Sequence, residues 1–459
     1  MKSLAIILLS VVIFFLTACN NTTGPKGDPP DTADILTKLQ SLSDLEVREI
    51  VPVNGYPRQF EIDISQPLDH ANPVGTRFKQ RLYLSHVDES APMVFMPTGY
   101  IATPNRMSEL GPALGANQIV VAHRFMDGAR PDPVNWQYLT IDQAAADHHY
   151  IVDKFKSIYD GKWISYGGSK NGMTALFHRR FYPDDVIATV ALVAPISLTI
   201  DDPRYDTFLE NVGTEDTRLK IRQFQRAVLK KRDLILPMIQ NFMDNSTLPF
   251  SRFDAGAILE FEVAEYAFSF WQVTPGDPTS IPDSSASAQE LYQHIEDGGY
   301  LPYYSDPYVT FYEPVYYQAY TELGWYKLVV DHLQDLLVTY KQPSYSYMAP
   351  RNVPLNFDPQ VMPDILQWLQ TEGNNIIYIY GGNDPWTAGA VELTGQTNAV
   401  KIVQPGANHY INIADLEERD LVYTTLSQWL DMEIPTISPF IASPIMPYKP
   451  LDMVLFNVP

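Results

Sequence analysis

The stretch ISYGGSKNGMTALFHRRFYP, from Ile164 to Pro183, decides the fold class. It begins with β-branched and aromatic residues, ends with a helical pattern, and places two glycines before a serine between them. A strand that turns sharply into a helix needs small residues at the turn, because the two elements pass close together there. We therefore predict a strand, a tight turn and a helix, with Ser169 exposed on the turn as a candidate nucleophile.

The glycine pattern around Ser169 departs from the usual one. A nucleophile elbow carries glycine two residues before and two residues after its serine. Gly167 fills the first position, but Asn171 fills the second, and Gly172 follows one residue later. Because Gly-Gly-Ser runs also occur in ordinary turns, this stretch alone leaves a catalytic and a structural interpretation open.

Two later residues complete a candidate triad in the chain order of α/β-hydrolases, which is Ser, then Asp or Glu, then His. Asp384 follows the apolar run 376–380, and His409 follows the run 400–403. Open α/β sheets place functional groups at the carboxyl ends of their strands. We expect Ser169 to attack a carbonyl carbon, His409 to accept and return its proton, and Asp384 to hold the His409 ring.

Short apolar runs predict the sheet that carries these residues. Alternating patterns are typical of antiparallel strands and continuous apolar runs of buried parallel strands. Strands are predicted at 60–64, 78–84, 93–96, 119–122, 163–166, 189–194, 376–380 and 400–403. Because helical patterns alternate with several of these runs, we predict an α/β-hydrolase fold with a mostly parallel sheet.

The alternation stops between residues 200 and 367, where long helical patterns and an aromatic-rich segment occur. We predict that residues 200–367 form a helical lid inserted before the Asp384 strand. Residues 34–199 and 368–459 are then the two parts of the α/β core. Residues 34–47 also have helical spacing, which predicts a helix at the start of the core.

An acyl-transfer site needs two fixed hydrogen-bond donors for the oxyanion. The backbone N–H of Lys170, directly after Ser169, is the first candidate. The second is expected from the loop after the strand 93–96, where the N–H of Gly99 or of Tyr100 is suitably placed.

The lid offers candidate contacts to the substrate. A large aromatic insertion that closes one end of a cleft favours an exopeptidase. An aminopeptidase must neutralise the buried ammonium group of its substrate, and Glu265 and Glu313, both set among aromatic residues, are the candidates. The stretch from Tyr300 to Trp325 contains neither Lys nor Arg, so it offers no cation to a terminal carboxylate. This favours cleavage near the amino terminus.

Residues 1–19 are typical of a bacterial lipoprotein signal peptide. Lys2 precedes the apolar run 4–16, which is too short to span a bilayer comfortably, and the sequence LTAC ends at Cys19, the only cysteine. We expect Cys19 to be lipidated and residues 20–33 to be a flexible tether, although an ordinary signal peptide fits the same residues. The expected location is the bacterial cell envelope, on the outer membrane or cell surface, facing the periplasm or the exterior.

The chain carries a formal net charge of −22. Such a surface repels nucleic acid and anionic lipid, so we expect no nucleic-acid partner and membrane contact only through the lipid. Motifs of the HExxH, CxxC, Walker and GxGxxG types are absent from the sequence, and we expect neither a metal nor another cofactor. Peptides are the expected partners.

Several motifs, taken together and in order, resemble one peptidase family: ISQPLDH (64–70), AHRFMDGARPDP (122–133), GGSKNGMTALFHRRFYPDDV (167–186) and GGNDPWTAGAV (381–391). They are similar to motifs of secreted bacterial tripeptidyl aminopeptidases and, more distantly, of the prolyl-Xaa carboxypeptidase and dipeptidyl peptidase II family. The resemblance implies an α/β-hydrolase with a helical lid that cleaves peptide bonds near a substrate terminus, with Ser169, Asp384 and His409 as its triad. Asn171 stands where relatives usually carry Gly, and Ala122 stands where relatives often carry Glu.

Three functions are compatible with the sequence. A lipid-anchored serine exopeptidase that releases short peptides, such as tripeptides, from peptide amino termini is favoured. An esterase or lipase with the same triad is an alternative, because the fold alone does not decide the substrate. A non-catalytic binding lipoprotein on a hydrolase fold is the other.

Overall fold

A computed structural model describes residues 34–274 and 276–434 of the chain. The predicted signal peptide, Cys19 and the whole of the predicted tether, residues 20–33, lie outside these residues. No helix in the described part is long and apolar enough to cross a membrane, and no cluster of His, Cys, Asp and Glu side chains there is suited to a metal ion.

The apolar runs form one sheet of nine strands. These are β1 (Leu45–Ile50), β2 (Arg58–Pro67), β3 (Arg77–His86), β4 (Met93–Pro97), β5 (Asn117–Val121), β6 (Trp163–Gly168), β7 (Ala188–Leu192), β8 (Ile376–Gly381) and β9 (Val400–Gln404). Their order in the sheet is β1-β2-β3-β5-β4-β6-β7-β8-β9. The pairings from β1 through β3 to β5 are antiparallel and all others are parallel, which confirms the predicted mostly parallel sheet.

Helices cover both faces of the parallel part of the sheet. The α-helices of the described chain are α1 (Ile35–Ser41), α2 (Leu110–Leu114), α3 (Ile141–Lys156), α4 (Lys170–Phe181), α5 (Pro203–Asn211), α6 (Glu215–Lys230), α7 (Arg232–Asn245), α8 (Ala255–Val273), α9 (Ala288–Gly298), α10 (Asp306–Gln318), α11 (Val361–Thr371) and α12 (Arg419–Leu430). In β4, Val94 and Met96 pack in the same cluster as residues of α2 and α12, whereas Met93 and Phe95 pack with residues of α3. Adjacent residues of a strand point to opposite faces, so a strand covered on both faces reads as a continuous apolar run.

The helices α5 to α10 lie between β7 and β8 and have an apolar core of their own, which includes Phe224, Leu259 and Phe261. This run of helices corresponds to the predicted lid. Its end differs from the prediction, because α11 packs against the sheet: Ile365 and Leu369 share a cluster with residues of β8. A boundary at residue 367 would divide this helix, so the lid ends before α11.

The start of the core also differs from the prediction of a helix over 34–47. The helix ends at Ser41, and β1 begins at Leu45 as an edge strand paired with β2. Leu45 pairs with Ile64 and Val47 with Ile62, so these residues form part of the sheet although their spacing also fits a helix. Short apolar patterns of this kind fit both periods, and the neighbouring strand decides between them.

Candidate active site

Ser169 lies on a strained turn between β6 and α4. Its backbone has φ 56° and ψ −134°, which L-residues rarely adopt and which persists mainly at functional sites. The Ser169 N–H donates to Leu192 O of β7 at 2.8 Å, and its carbonyl oxygen accepts from the Met173 N–H in the first turn of α4 at 2.9 Å. The strand, turn and helix predicted for this stretch are therefore present, with Ser169 at the carboxyl end of β6.

The glycines beside Ser169 let α4 pass close to the sheet. A Cβ on Gly167 would lie 2.5 Å from the Asn171 carbonyl carbon, and a Cβ on Gly172 would lie 2.8 Å from Ala194 Cβ. Close packing leaves no room for contacts this short. Glycine is therefore needed three residues after Ser169, where α4 approaches the end of β7, and a side chain is tolerated at Asn171.

Asn171 uses this side chain to hold the loop after β4. Its Oδ1 accepts a hydrogen bond from the Gly99 N–H at 2.7 Å, and the residue is buried. Gly99 itself has no space for a side chain, because a Cβ would lie 2.4 Å from Lys170 Cγ. The residue that departs from the usual elbow pattern thus joins the elbow to the β4 loop.

The second departure, Ala122, belongs to the core. It is fully buried in a cluster with Phe78, Phe125 and Leu139. A glutamate among these apolar side chains would need a cationic partner to offset its loss of hydration. Alanine at this position is therefore well suited to its surroundings in this chain.

Two backbone N–H groups flank the elbow as candidate oxyanion donors. Lys170 is the first residue of α4, where an N–H has no acceptor within the helix. The prediction that the Gly99 N–H serves as the second donor is wrong in this structure, because this N–H already donates its hydrogen bond to Asn171 Oδ1. The Tyr100 N–H makes a long hydrogen bond to Thr98 Oγ1, at 3.3 Å, which an oxyanion could replace.

Asp384 and His409 are in direct contact. Asp384 follows β8 and is fully buried, and its Oδ2 lies 2.7 Å from His409 Nδ1. Because a carboxylate only accepts hydrogen bonds, Nδ1 carries the ring proton and Nε2 is left as a base. Asp384 Oδ1 accepts from the Trp386 N–H at 3.1 Å, and the His409 N–H donates to Gln272 O of α8 at 3.1 Å. These bonds fix both the carboxylate and the loop that carries His409.

The predicted contact between His409 and Ser169 is not formed as a hydrogen bond. The strands β6, β7 and β8 are neighbours, so Ser169 and Asp384 follow strands at the same edge of the sheet. Within residues 34–274 and 276–434, the His409 ring has its hydrogen bond with Asp384 and none with Ser169 Oγ. Catalytic hydrogen bonds are often long without substrate and tighten when it binds. The catalytic role of Ser169 stays a prediction.

Aromatic rings connect His409 with the lid helix α8. The ring centroid of Trp386 lies 6.4 Å from that of His409, and Trp325 and Tyr326 lie 5.1 and 5.3 Å from Trp386. The Tyr326 hydroxyl donates to the Glu265 carboxylate, with oxygen distances of 2.9 and 3.0 Å. A continuous wall of rings therefore runs from His409 to Glu265.

Glu265 has a second carboxylate beside it, that of Glu262, one helical turn away on α8. Both residues are only partly covered, and in the described part of the chain neither pairs with Lys or Arg. Burial raises the pKa of Glu265 to about 7 and the pKa of Glu262 to about 8. Glu262 was not predicted from the sequence, although the spacing in EFEVAEYAF, with two glutamates three residues apart in an aromatic helix, is a signal for it.

Glu313 is already neutralised by two arginines. Its Oε1 accepts from Arg252 Nη1 at 2.9 Å, and its Oε2 lies 3.7 Å from Arg130 Nη2. A paired carboxylate of this kind has little charge left for a ligand. The prediction that Glu313 receives a substrate ammonium is therefore wrong.

The side chain of Lys170 connects α4 with the lid. Its Nζ donates to Gln318 Oε1 at the end of α10, at 2.9 Å, and the residue is 7% exposed. No carboxylate of the described residues forms an ion pair with it, and burial lowers the pKa of its ammonium group to about 7. The residue next to Ser169 thus holds a lid helix as well.

Glu109 connects β6, the strand before Ser169, with the loop that follows His409. Its carboxylate accepts from the Ile413 and Ala414 N–H groups at 2.9 and 3.0 Å, and from the Tyr166 hydroxyl of β6 at 3.1 Å. Burial raises the pKa of this carboxyl group. Nothing in the sequence singles out Glu109, because its partners lie far away along the chain.

Residues 28–433 match the family model of PS-10 peptidase S37. The prolyl tri/tetrapeptidyl aminopeptidase of Streptomyces mobaraensis is 35% identical over 408 residues, which cover 86% of this chain and 85% of that protein. The prolyl carboxy peptidase like protein 5 of Caenorhabditis elegans is 28% identical over 149 residues, or 28% of this chain and 29% of that protein.

Among solved structures, the proline iminopeptidase of Mycobacterium smegmatis is similar over 80% of this chain and 98% of its own, with 12% identity and a TM-score of 0.39. The family model, in contrast, covers most of the chain, and the Streptomyces relative is matched over most of both lengths. On this evidence the chain belongs to the PS-10 peptidase S37 family, and it is a serine-type peptidase on an α/β-hydrolase fold.

Proposed function

We propose that this peptidase is a lipid-anchored exopeptidase that releases short peptides, tripeptides in particular, from the amino terminus of its substrates. The observation that carries the proposal is the Glu265 carboxylate, which lacks a cationic partner among the described residues and which aromatic rings connect to His409. The Streptomyces relative, named a prolyl tri/tetrapeptidyl aminopeptidase, supports the same substrate end and product size.

The proposed reaction is acyl transfer through a serine ester. His409 Nε2 accepts the proton of Ser169 Oγ while this oxygen attacks the carbonyl carbon of the scissile peptide bond. The N–H groups of Lys170 and Tyr100 stabilise the oxyanion. The imidazolium, held by Asp384, then protonates the leaving amine. A water molecule, deprotonated by His409, cleaves the ester and the proton returns to Ser169.

Glu265 supplies the negative charge that a substrate amine needs. Moving an ammonium group out of water without a partner raises the free energy by roughly several kcal/mol, and a nearby carboxylate offsets this cost. The hydroxyls of Tyr326 and Ser269 hold the Glu265 carboxylate in position. Burial raises the pKa of Glu265 to about 7, so an arriving ammonium pairs with the ionised form and displaces a proton.

The proposed anchor rests on the sequence LTAC, which ends at Cys19. Lipidation of Cys19 would hold the enzyme on a membrane of the bacterial cell envelope, facing the periplasm or the exterior, with residues 20–33 as the tether. Its substrates would then be peptides that reach this surface.

A pair of matched substrates tests the proposed function. One tripeptide p-nitroanilide is offered with a free amine and again with an acetyl cap. We expect kcat/KM to be about 10- to 100-fold lower for the capped peptide, because a hydrogen-bonded charge contributes about 1.5–3 kcal/mol. Equal rates on both would remove the aminopeptidase function and return the choice to endopeptidase or esterase.

The charge of Glu265 is tested with the same two substrates. Glu265→Gln should lower kcat/KM for the free amine by about the same 10- to 100-fold factor and leave the rate on the capped peptide unchanged. The matched control is Glu210→Gln, which removes a carboxylate from the exposed end of α5. Loss of both rates in Glu265→Gln would indicate a structural role for this residue.

A further inference from the structure

The helix α8 is largely apolar and carries one polar stripe. Glu262, Glu265, Ser269 and Gln272 are partly accessible, whereas most of their neighbours are buried in the lid core. The spacings of three, four and three residues put these four side chains on one face of the helix. Ser269 Oγ donates to Glu265 Oε1 at 3.1 Å, which shows that neighbours in the stripe contact one another.

The carboxyl end of the stripe lies at the loop that carries His409. Gln272 O accepts from the His409 N–H at 3.1 Å, and Thr274 O accepts from Asn408 Nδ2 at 3.1 Å. The helix therefore extends away from His409 towards residue 255. The position of a residue in the stripe therefore indicates how far along the helix it lies from the His409 loop.

The two carboxylates lie at distances that match peptide lengths. A helix rises about 1.5 Å per residue, so Glu265 lies about 10 Å and Glu262 about 15 Å from Gln272 along the axis. An extended peptide advances about 3.4 Å per residue, so an acyl group of three residues spans about 10 Å and one of four about 14 Å. For a substrate that extends along α8 from the His409 loop, each carboxylate would therefore lie near the position of one amino terminus.

A third glutamate of α8 shows the contacts of a structural carboxylate in this helix. Glu260 is fully buried, pairs with Arg232 and accepts hydrogen bonds from the backbone N–H groups of residues 338–340. Glu262 and Glu265 have no such donors in the described chain, and hydroxyl groups, including those of Tyr304 and Tyr326, are their partners. Their carboxyl groups are left available to a ligand.

We infer that Glu262 and Glu265 are alternative binding positions for the substrate ammonium and that they set the length of the released peptide. Glu265 receives the amine of a substrate cleaved after three residues, and Glu262 receives that of a substrate cleaved after four. The inference rests on the proposed aminopeptidase function and names the residues that determine product length within it.

The protonation of the pair supports this use. Burial raises the pKa of Glu262 to about 8 and that of Glu265 to about 7, and the charge of Glu265 contributes to the shift at Glu262. Near neutral pH the two groups together therefore hold about one proton or more. A substrate ammonium replaces the proton at one position while the other position stays protonated, so the cleft need not hold two unpaired charges.

The test uses free-amine p-nitroanilides with acyl groups of two to five residues and the same residue before the cleaved bond. Wild type, Glu262→Gln, Glu265→Gln and the control Glu210→Gln are compared by kcat/KM per active site. A fluorophosphonate that labels Ser169 counts the active molecules, so misfolded protein does not enter the rates. The neutral amides keep the size of the side chains and remove only the charge.

Glu265→Gln should lower kcat/KM for the tripeptide substrate by about tenfold or more and change the tetrapeptide rate much less, and Glu262→Gln should do the reverse. Glu210→Gln should leave the length profile unchanged. Equal losses at both lengths, an unchanged profile in Glu262→Gln, or a wild-type enzyme that cleaves only one of the two lengths would each overturn the inference. Failure of the aminopeptidase function itself is recognised separately, as equal wild-type rates on free and acetyl-capped tripeptides.

Discussion

Ser169 keeps a backbone conformation that costs about 1–3 kcal/mol, and the surrounding contacts maintain it. The Leu192 carbonyl fixes its N–H, and the missing side chains of Gly167 and Gly172 allow α4 to pack directly behind it. Asn171 adds a bond to the β4 loop, so that the elbow and the loop that carries the candidate donor Tyr100 are held together. The strain exposes one hydroxyl at the carboxyl edge of the sheet.

Replacing Asp384 by Asn tests the proposed triad through the position of the proton on the His409 ring. The amide would donate to His409 Nδ1 and move the ring proton to Nε2, which then cannot accept the proton of Ser169. We expect kcat to fall by about 10⁴-fold, as in other triads, with a small change in KM. Steady-state kinetics and a thermal unfolding curve are the measurements, and wild-type kcat in Asp384→Asn would contradict the assignment.

Contacts that follow from the sheet could be predicted from the sequence, and contacts between distant side chains could not. Asp384 and His409 meet because both follow strands at one edge of a parallel sheet, which their order along the chain already indicates. Gly99 and Glu313 were assigned wrongly because Asn171 and Arg252 bind them. Such pairings depend on how separate segments pack and leave no periodic trace in the sequence.

At the level of elements, prediction worked best where burial alone determines the structure. The parallel strands appear as continuous apolar runs, and the sheet contains them close to the predicted bounds. The segment 34–47 is harder, because a short helix and an edge strand share its apolar residues and only the register with β2 separates them. The predicted end of the lid, residue 367, is wrong because the helical pattern of α11 would be the same whether it packed in the lid core or against the sheet.

The hydrogen bond between Lys170 and Gln318 makes the contact of α4 with α10 sensitive to pH. Burial lowers the pKa of Lys170 from 10.5 to about 7, so between these values the unfolded chain holds a proton that the native chain lacks. Through this group, stability rises with pH across the window, and below about pH 7 the native state bears the full cost of a buried charge. Lys170→Met should therefore stabilise the protein more at pH 6 than at pH 9.

The expected difference between the two pH values is about 2–3 kcal/mol in the free energy of unfolding, at 1.36 kcal/mol per pKa unit. Urea unfolding of wild type and Lys170→Met at pH 6 and pH 9 measures it. Comparing two pH values cancels those effects of the substitution that do not depend on pH, such as the change in side-chain packing. The exposed residue Lys230 supplies the control, since Lys230→Met should act equally at the two pH values. An equal effect of Lys170→Met at both would show that Lys170 does not titrate in this range.

On the scale of the whole molecule, the lid and the α/β domain have separate apolar cores, and the proposed site lies where they meet. Contacts of the site cross this boundary: Lys170 to Gln318, the backbone of α8 to the His409 loop, and Trp386 to Trp325. Other contacts cross it elsewhere, such as the hydrogen bond from the Ile141 N–H to Glu322 and the ring contact of Trp136 with Tyr317. The break in strand and helix alternation near residue 200 predicted this division. It did not predict which lid helix reaches the reaction centre, since that depends on how the two cores are packed together.

The proposed attachment of the enzyme to a membrane depends on Cys19 alone. A net charge of −22 opposes binding to anionic lipid, so the acyl chains, at about 0.8 kcal/mol per buried CH₂ group, must supply the attachment. Cys19→Ser should move the enzyme to the soluble fraction without changing kcat/KM per active site, because the candidate site is built from residues between 99 and 409. Asn21→Ser, in the tether, should stay with the membrane. Activity in each fraction and the mass of the amino-terminal peptide are the measurements, and an unmodified amino terminus downstream of Cys19 in the wild type would contradict the anchor.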